Sequence, residues 1–378
     1  MKMSDDITVC LKRGAAKDSV FSTEDTPQFF RLSKEQDKAR LSELFQSVTD
    51  CEVYDTIEEQ LFELQRIRNP HIPPVQLNKE HFLSDLLKGT SLQEYGVWVY
   101  YPWSKKLVHL LDEEEYMELR TSRNLYKITR EEQVELQSKK IGVIGLSVGM
   151  TIAVCLAMER VCSEIRIADF DSLDLSNMNR LEAGIHEIGL PKWVIAQRRI
   201  SELDPFIQLK IFKNGVTEDN IESFLCDGGK LDILVDECDS LDIKLLCRLK
   251  AREHGIPVVM DTNDRGMLDI ERFDLDNTLP VLHGLVGDIS YQELSNLTPQ
   301  EKLPIVMKII SAENISERLK FSMKEYGKTI VSWPQLSSAV FLGGAITTEA
   351  CRQILLKQAT LSGRLYFDID LAIKQNRH

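Results

Sequence analysis

"KKIGVIGLSVGM", Lys139 to Met150, runs from an apolar strand pattern into a short glycine-containing turn and on into helical periodicity. A strand, a tight turn and a helix N-terminus in that order make a phosphate site. The unpaired N–H groups of the first helical turn and the positive end of the helix dipole converge there. Gly145, Ser147, Val148 and Gly149 would form that cradle. A Gly-x-x-x-Gly spacing is also ordinary turn geometry, so the residues that follow must decide.

They are a second apolar strand and then "DFDSLDLSNMNR", Asp169 to Arg180. In nucleotide-binding sheets an acid at the end of the second strand accepts hydrogen bonds from ribose hydroxyls, and Asp169 holds that place. Asp171, Asn177 and Arg180 come next, Lys192 opens the following helix, and Asp239 closes "LDILVDECD". A nicotinamide cofactor needs little beyond the one carboxylate. Two cations and another acid suit a triphosphate with magnesium: Arg180 and Lys192 for phosphate charge, Asp239 for the hard cation. Taken singly, each of these residues reads equally well as half of a surface salt bridge.

The alternation continues outward. Strands are expected at 141–145, 164–169, 208–213, 232–236 and 257–261, separated by amphipathic helices such as "PKWVIAQRRISEL" and "LDIKLLCRLKAREHG". This pattern predicts an α/β fold with a mainly parallel, doubly wound sheet that binds its ligand at the carboxyl ends of the strands. Residues 274–330 interrupt the order with two helical segments and are expected to form an excursion over the site. The helix "LSSAVFLGGAITTEACRQILL" and a last strand, "GRLYFDID", then close the fold.

The first 115 residues read as a smaller α+β module. Helices are expected in "SKEQDKARLSELFQSV", in "DTIEEQLFELQRIRN" with Thr56 and Glu59 spaced as a capping box, and over 79–88. "YGVWVYY" and "KLVHLLD" form a hairpin, whose aromatics serve either packing or a peptide-binding edge.

A net charge of -13 over 378 residues opposes a nucleic-acid partner, which needs clustered Lys and Arg. No apolar run reaches the roughly 18 residues of a membrane span, and "MKMSDDITVC" lacks the apolar core of a secretory signal, so a cytoplasmic protein is expected. The eight cysteines include no Cys-x-x-Cys pair, which fits reduced core thiols and removes the usual zinc-ribbon signature.

With these residues in this order the chain resembles the ThiF/MoeB adenylyltransferases, whose Rossmann-like fold is shared by ubiquitin-activating enzymes. The resemblance runs from about Arg120 to the end, through "RTSRN", "GLSVGM", "DFDSLDLSNMNR", "GLPKWVIAQRRISELDP", "VDECDS" and the late helix. It implies a module over 1–115 followed by an adenylation domain over 116–378. By resemblance Asp169 holds the ATP ribose, Asn177, Arg180 and Lys192 contact the phosphates, and Asp239 binds Mg2+. Arg123 matches an arginine that reaches the partner subunit's site, which implies a homodimer. The implied reaction is attack of a carboxylate, most simply a peptide or small-protein C-terminus or side chain, on the α-phosphate of ATP.

Departures from the family pattern carry information too. Ser147, Val148 and Met150 stand where glycines are usual, and a Cβ at 148 is expected to crowd the phosphate. Leu181 stands where Gln commonly follows the arginine. No cysteine lies between Cys247 and Cys351, so sulfur transfer or thioester formation within the chain is disfavoured, and Cys238 and Cys247 read as core residues. The marks "YGVWVYYPWSKKLVHLL", "RNLYKIT" and "MDTNDRGMLDIERFD" resemble a bacterial subgroup often fused to a nitroreductase-like domain, which implies a separate flavoprotein partner.

Three other readings stay open: a nucleotide-binding scaffold without catalysis, an NAD-dependent oxidoreductase, and adenylation of a carboxylate in RNA, the last opposed by the acidic charge. His283 is either a site residue or a hydrogen-bonded loop residue. Asp264 and Arg265 either contact substrate or satisfy each other, and Trp193 reads as packing.

Overall fold

The computed structural model describes residues 26–77 and 79–375, and the chain divides into two units, Met1–Lys127 and Ile128–His378.

In the first unit the strands are β1 (Gln28–Phe30), β2 (Glu52–Asp55), β3 (Val97–Tyr101) and β4 (Lys106–Leu110), in sheet order β1-β3-β4-β2. Strands β3 and β4 form the expected hairpin, and β2 runs parallel to β4 on the edge. Helices α1 (Glu35–Ser47), α2 (Ile57–Arg68), α3 (Lys79–Leu87) and α4 (Glu113–Arg120) accompany this sheet. Alternation along β3 sends Trp98 and Tyr100 into a cluster with Phe30, Leu41 and Leu107. Trp98 also stacks on the buried His109 ring at 4.1 Å. The hairpin aromatics are therefore packing residues. At Thr56 the capping box does not form: the Ile57 N–H goes to Asp55 Oδ1 at 3.3 Å, and the Thr56 hydroxyl takes the Gln60 amide instead.

The second unit holds strands β5 (Lys140–Ile144), β6 (Glu164–Ala168), β7 (Gln208–Phe212), β8 (Ile233–Asp236), β9 (Val258–Thr262), β10 (Met267–Glu271) and β11 (Gly363–Tyr366). Among the described residues they form one sheet in the order β11-β10-β9-β8-β5-β6-β7. Its centre, β9-β8-β5-β6-β7, is parallel; β10 and β11 add antiparallel strands at one edge. The helices are α5 (Arg130–Leu136), α6 (Gly149–Glu159), α7 (Lys192–Leu203), α8 (Ile221–Cys226), α9 (Leu241–Glu253), α10 (Tyr291–Ser295), α11 (Pro299–Ile309), α12 (Glu317–Glu325), α13 (Ser337–Leu355) and α14 (Ile369–Gln375).

Each face of the sheet has its own core, as near-continuous apolar strands require. One is built with Ile152, Leu156, Ile195, Ile200, Val340 and Ile354 from α6, α7 and α13. The other uses Phe224, Leu245 and Leu246 of α8 and α9, and Leu282, Leu294 and Ile309 of the excursion. The excursion thus packs largely as a layer on α9. Between the faces, Asp236 at the end of β8 is completely buried, yet Lys244 and Arg248 overcome that burial and hold its carboxyl below the usual range. Arg248 reaches on to Glu271 of β10 at 2.5 Å, so one cation neutralises acids on two strands. No helix among the described residues is long and apolar enough to cross a membrane.

Candidate functional site

Strand β5 ends at Ile144, and Gly145 takes φ +84°, a conformation that favours glycine. Its N–H donates to Ala168 O at 2.9 Å, which seats the turn against the end of β6. There is no room for a side chain, since a Cβ at 145 would lie 2.5 Å from Glu237 O. Helix α6 then starts at Gly149, so its first N–H groups open at the carboxyl edge of the sheet, beside the ends of β6 and β8.

Val148, where the family usually has glycine, is turned toward the core. Its side chain is 7% exposed and belongs to the core under α6, so the Cβ is packed inward. Leu181, in place of the usual Gln, is likewise a core residue.

Asp169 is 7% exposed, and both its oxygens serve the backbone: Oδ2 accepts from Leu146 N–H at 2.6 Å and Oδ1 from Asp171 N–H at 2.7 Å. Burial raises its pKa, while the two N–H groups and the Lys192 charge oppose the rise. The carboxylate fixes the turn, and only its remaining lone pairs are left for a ribose. Lys192, the first residue of α7, is also buried, and its Nζ pairs with Asp171 Oδ2 at 2.8 Å.

Arg180 supplies the second connection. Its Nη2 donates to Ser147 Oγ at 3.1 Å, and Nη1 to Asn179 Oδ1 at 2.9 Å. Its Nε is buried without a hydrogen-bond partner. Burial lowers the Arg180 pKa, and the charge of Asp239, within electrostatic reach, works against that shift. Asp239 is exposed, just before Ser240 caps α9, and among the described residues its carboxylate has no hydrogen bond or ion pair. Asn177 uses its side-chain oxygen to accept from Asp174 N–H at 3.1 Å, shaping the loop that carries Arg180. Beside it Asn179 donates to Gln335 O at 2.7 Å, so the chain that enters α13 passes this loop.

The structure therefore links the turn at Gly145–Gly149 to Asp169 through the Leu146 N–H and to Arg180 through Ser147, pairs Lys192 with Asp171, and leaves Asp239 within electrostatic reach of Arg180, with Asn177 shaping the loop. Arg123 lies exposed in a 3-10 turn, Ser122–Asn124, of the first unit.

Other candidates have structural roles. Asp264 accepts from the N–H, at 2.8 Å, and the hydroxyl of Ser316, the residue that caps α12, and Arg265 pairs with Asp368 at 2.6 Å. They do not satisfy each other; they tie the excursion and the last segment to the β9–β10 turn. His283 pairs with the buried Asp269 at 2.8 Å. Trp193 packs on the core with Lys213 Nζ 4.6 Å from its ring centre. Cys247 is buried, and Cys238 donates its thiol to Asp236 Oδ1 at 2.9 Å. Burial and then the Asp236 charge push the Cys238 thiol well above its usual pKa, which denies it thiolate character.

Sequence reasoning missed Glu237 and Asp261. Glu237 Oε1 accepts from Asp261 N–H at 2.8 Å, next to the turn. Asp261 is 5% exposed with neither carboxylate oxygen hydrogen-bonded. Gly343 of α13 makes space for it: a Cβ there would fall 1.9 Å from Asp261 Oδ2. Burial raises both pKa values, that of Glu237 further through the Asp261 charge. No spacing announces this pair, because it forms across two strands and a distant helix.

An uncharacterized protein of Mycobacterium tuberculosis is 42% identical over 282 residues, 75% of this chain and 39% of that protein. The tRNA threonylcarbamoyladenosine dehydratase of Bacillus subtilis is 29% identical over 156 residues, 41% of this chain and 60% of that protein. The matches thus span less than two thirds of the length of either relative. Among solved structures, the ATP complex of the Escherichia coli tRNA N6-threonylcarbamoyladenosine dehydratase superposes with a TM-score of 0.48 at 15% identity, covering 66% of this chain and 98% of that one. The ThiF family model matches residues 120–327, more than half of the chain, and the protein belongs to the ThiF family.

Proposed function

We propose that the protein is an ATP-dependent adenylyltransferase that activates a carboxylate as an acyl-adenylate. The observation that carries this reading is Arg180, which bonds Ser147 of the turn, lies within electrostatic reach of Asp239 and keeps a buried Nε without a partner. A buried unpaired donor is costly, and a phosphate oxygen would satisfy it. A triphosphate laid over the turn would meet the α6 N-terminus and Arg180, with Lys192 contributing charge from its pair with Asp171.

The substrate carboxylate oxygen bonds to the α-phosphorus as the bond to the bridging oxygen breaks, and pyrophosphate leaves with that electron pair. A carboxylate is already ionised, so no general base is required; positioning and charge neutralisation suffice. Asp239 fits as the residue that would hold Mg2+, being an exposed oxygen donor with no competing hydrogen bond. The ion would supply further neutralisation of phosphate charge. Cys238 is no thiolate, so the adenylate is consumed by a nucleophile from outside this crevice.

The acidic chain favours a peptide or small-protein carboxylate over one in RNA. Val148 packs into the core under α6, so its side chain gives no particular support to the scaffold reading. ATP–pyrophosphate exchange, dependent on added peptide carboxylate, tests the reading; ATP binding without exchange across a broad peptide set would sink it.

A homodimer in which Arg123 serves the partner's site belongs to the same proposal, as does a separate flavoprotein partner. Mixing inactive Arg123→Ala and Asp239→Ala chains restores activity if the arginine acts across subunits, and leaves the mixture dead if it does not. Co-purification of a flavin-containing protein with the tagged chain tests the flavoprotein partner, and its absence from a complex stable to washing counts against it.

A further inference from the structure

At the opposite edge of the same sheet a carboxylate, a thiol and an imidazole meet. We propose that Glu222, Cys226 and His254 form a binding site for a borderline-soft divalent cation of the zinc type. Their ligand atoms lie within 4.8 Å of one another. Glu222 and Cys226 are four residues apart on α8 and so share one helix face. His254 caps α9, after which Gly255 at φ +59° turns the chain into β9.

A tetrahedral zinc with bonds of about 2.0–2.3 Å places its ligand atoms roughly 3.5 Å apart, so small rotations of three partly exposed side chains complete the set. His254 Nε2 already lies 2.8 Å from Glu222 Oε2. Lys250 Nζ holds the other oxygen, Oε1, at 3.0 Å. That leaves one oxygen to ligate and gives the carboxylate the kind of outer partner that orients metal ligands.

The donor chemistry selects the ion. A thiolate, an imidazole and a single carboxylate oxygen suit zinc, whereas magnesium and calcium take oxygen cages. One carboxylate and one thiolate balance the two positive charges. Cysteine ligates as the thiolate, so binding at Cys226 releases a proton. Three protein ligands leave a fourth position for water, and Glu222 and Lys250 also line a cavity of about 640 Å3 that gives an approach from solvent.

This arrangement differs from a Cys-x-x-Cys zinc site and is independent of the adenylation reading. Helix α8 leads toward the start of β8 and His254 toward the start of β9, so the cluster lies at the amino ends of the strands. The ATP crevice is at their carboxyl ends. A bound ion would clamp the end of α8 to the end of α9 and stabilise the folded chain by mass action.

The full chain, stripped with EDTA, is titrated with Zn2+ by calorimetry and with Co2+ by absorption. The site predicts one tight equivalent, a thiolate-to-cobalt charge-transfer band that Cys226→Ser abolishes, and affinity weakened at least about tenfold by His254→Gln. Zn2+ binding equally tight in the Cys226→Ser/His254→Gln double variant, or a cobalt band that survives Cys226→Ser, overturns it. His254→Gln changes a partly exposed side chain, so a misfolded Cys226→Ser variant still leaves a decisive comparison.

Discussion

Arg180 donates from Nη2 to Ser147 Oγ at 3.1 Å, so the loop after β6 is tied to the turn after β5 by a bond between a cation and a hydroxyl. That bond orients the guanidinium while another of its nitrogens remains unsatisfied. Ser147 therefore does more than replace a glycine. Ser147→Ala should lower ATP affinity several-fold, since hydrogen bonds to charged groups contribute about 1.5–3 kcal/mol and this one is partly solvent-screened. Calorimetric titration checks it; unchanged affinity would mean that Arg180 is oriented by other contacts.

Gly145 should tolerate no substitution. At φ +84° an L-residue carries a cost of about 1–2 kcal/mol, and the added Cβ would meet Glu237 O at 2.5 Å. Gly145→Ala is expected to lose about 2 kcal/mol or more of stability and to displace the turn. Denaturant melts measure the loss, and a wild-type midpoint would contradict the close approach.

Asp239→Ala separates function from stability. The side chain is exposed and unbonded, so its removal should change stability by no more than about 0.5 kcal/mol while abolishing magnesium-dependent turnover. Full turnover in a well-folded variant would remove the metal role from this residue.

Asp261 should make stability depend on pH. Burial pushes its carboxyl up to about 7, above the ordinary value of 3.8, so the folded chain holds a proton that the unfolded chain releases. The stabilisation is fully present below the ordinary carboxylate range and is lost as pH rises toward about 7. Asp261→Asn, which cannot ionise, should therefore flatten the fall in melting temperature between pH 5 and pH 8 (about those values). A slope identical to wild type would show that Asp261 is not the titrating group.

Much of this was legible because parallel strands buried on both faces read as continuous apolar runs. Strands β5 to β9 fall within a residue or so of their expected limits. The cluster from Asp169 to Arg180 was legible for a related reason: its chemistry is compressed into one loop. Strand β10 was missed, although Arg265 and Gly266, both at positive φ, mark the turn that reverses it against β9. Asp264 and Arg265 misled because their partners, Ser316 and Asp368, lie far along the chain. The pair Glu237 and Asp261 was invisible because the space for it is made by Gly343, on a helix whose register against β9 only the folded chain defines. Local pattern names the elements and the compact motif; contacts between distant segments decide what the remaining polar residues do.

The proposal that this crevice binds ATP is tested most directly by calorimetric titration of Mg2+-ATP into the wild-type chain and into Arg180→Ala. Saturable binding to wild type, weakened at least about tenfold in a variant that melts normally, is the predicted result. No binding to the wild-type chain, or equal binding to both, would contradict the assignment of the crevice to a triphosphate.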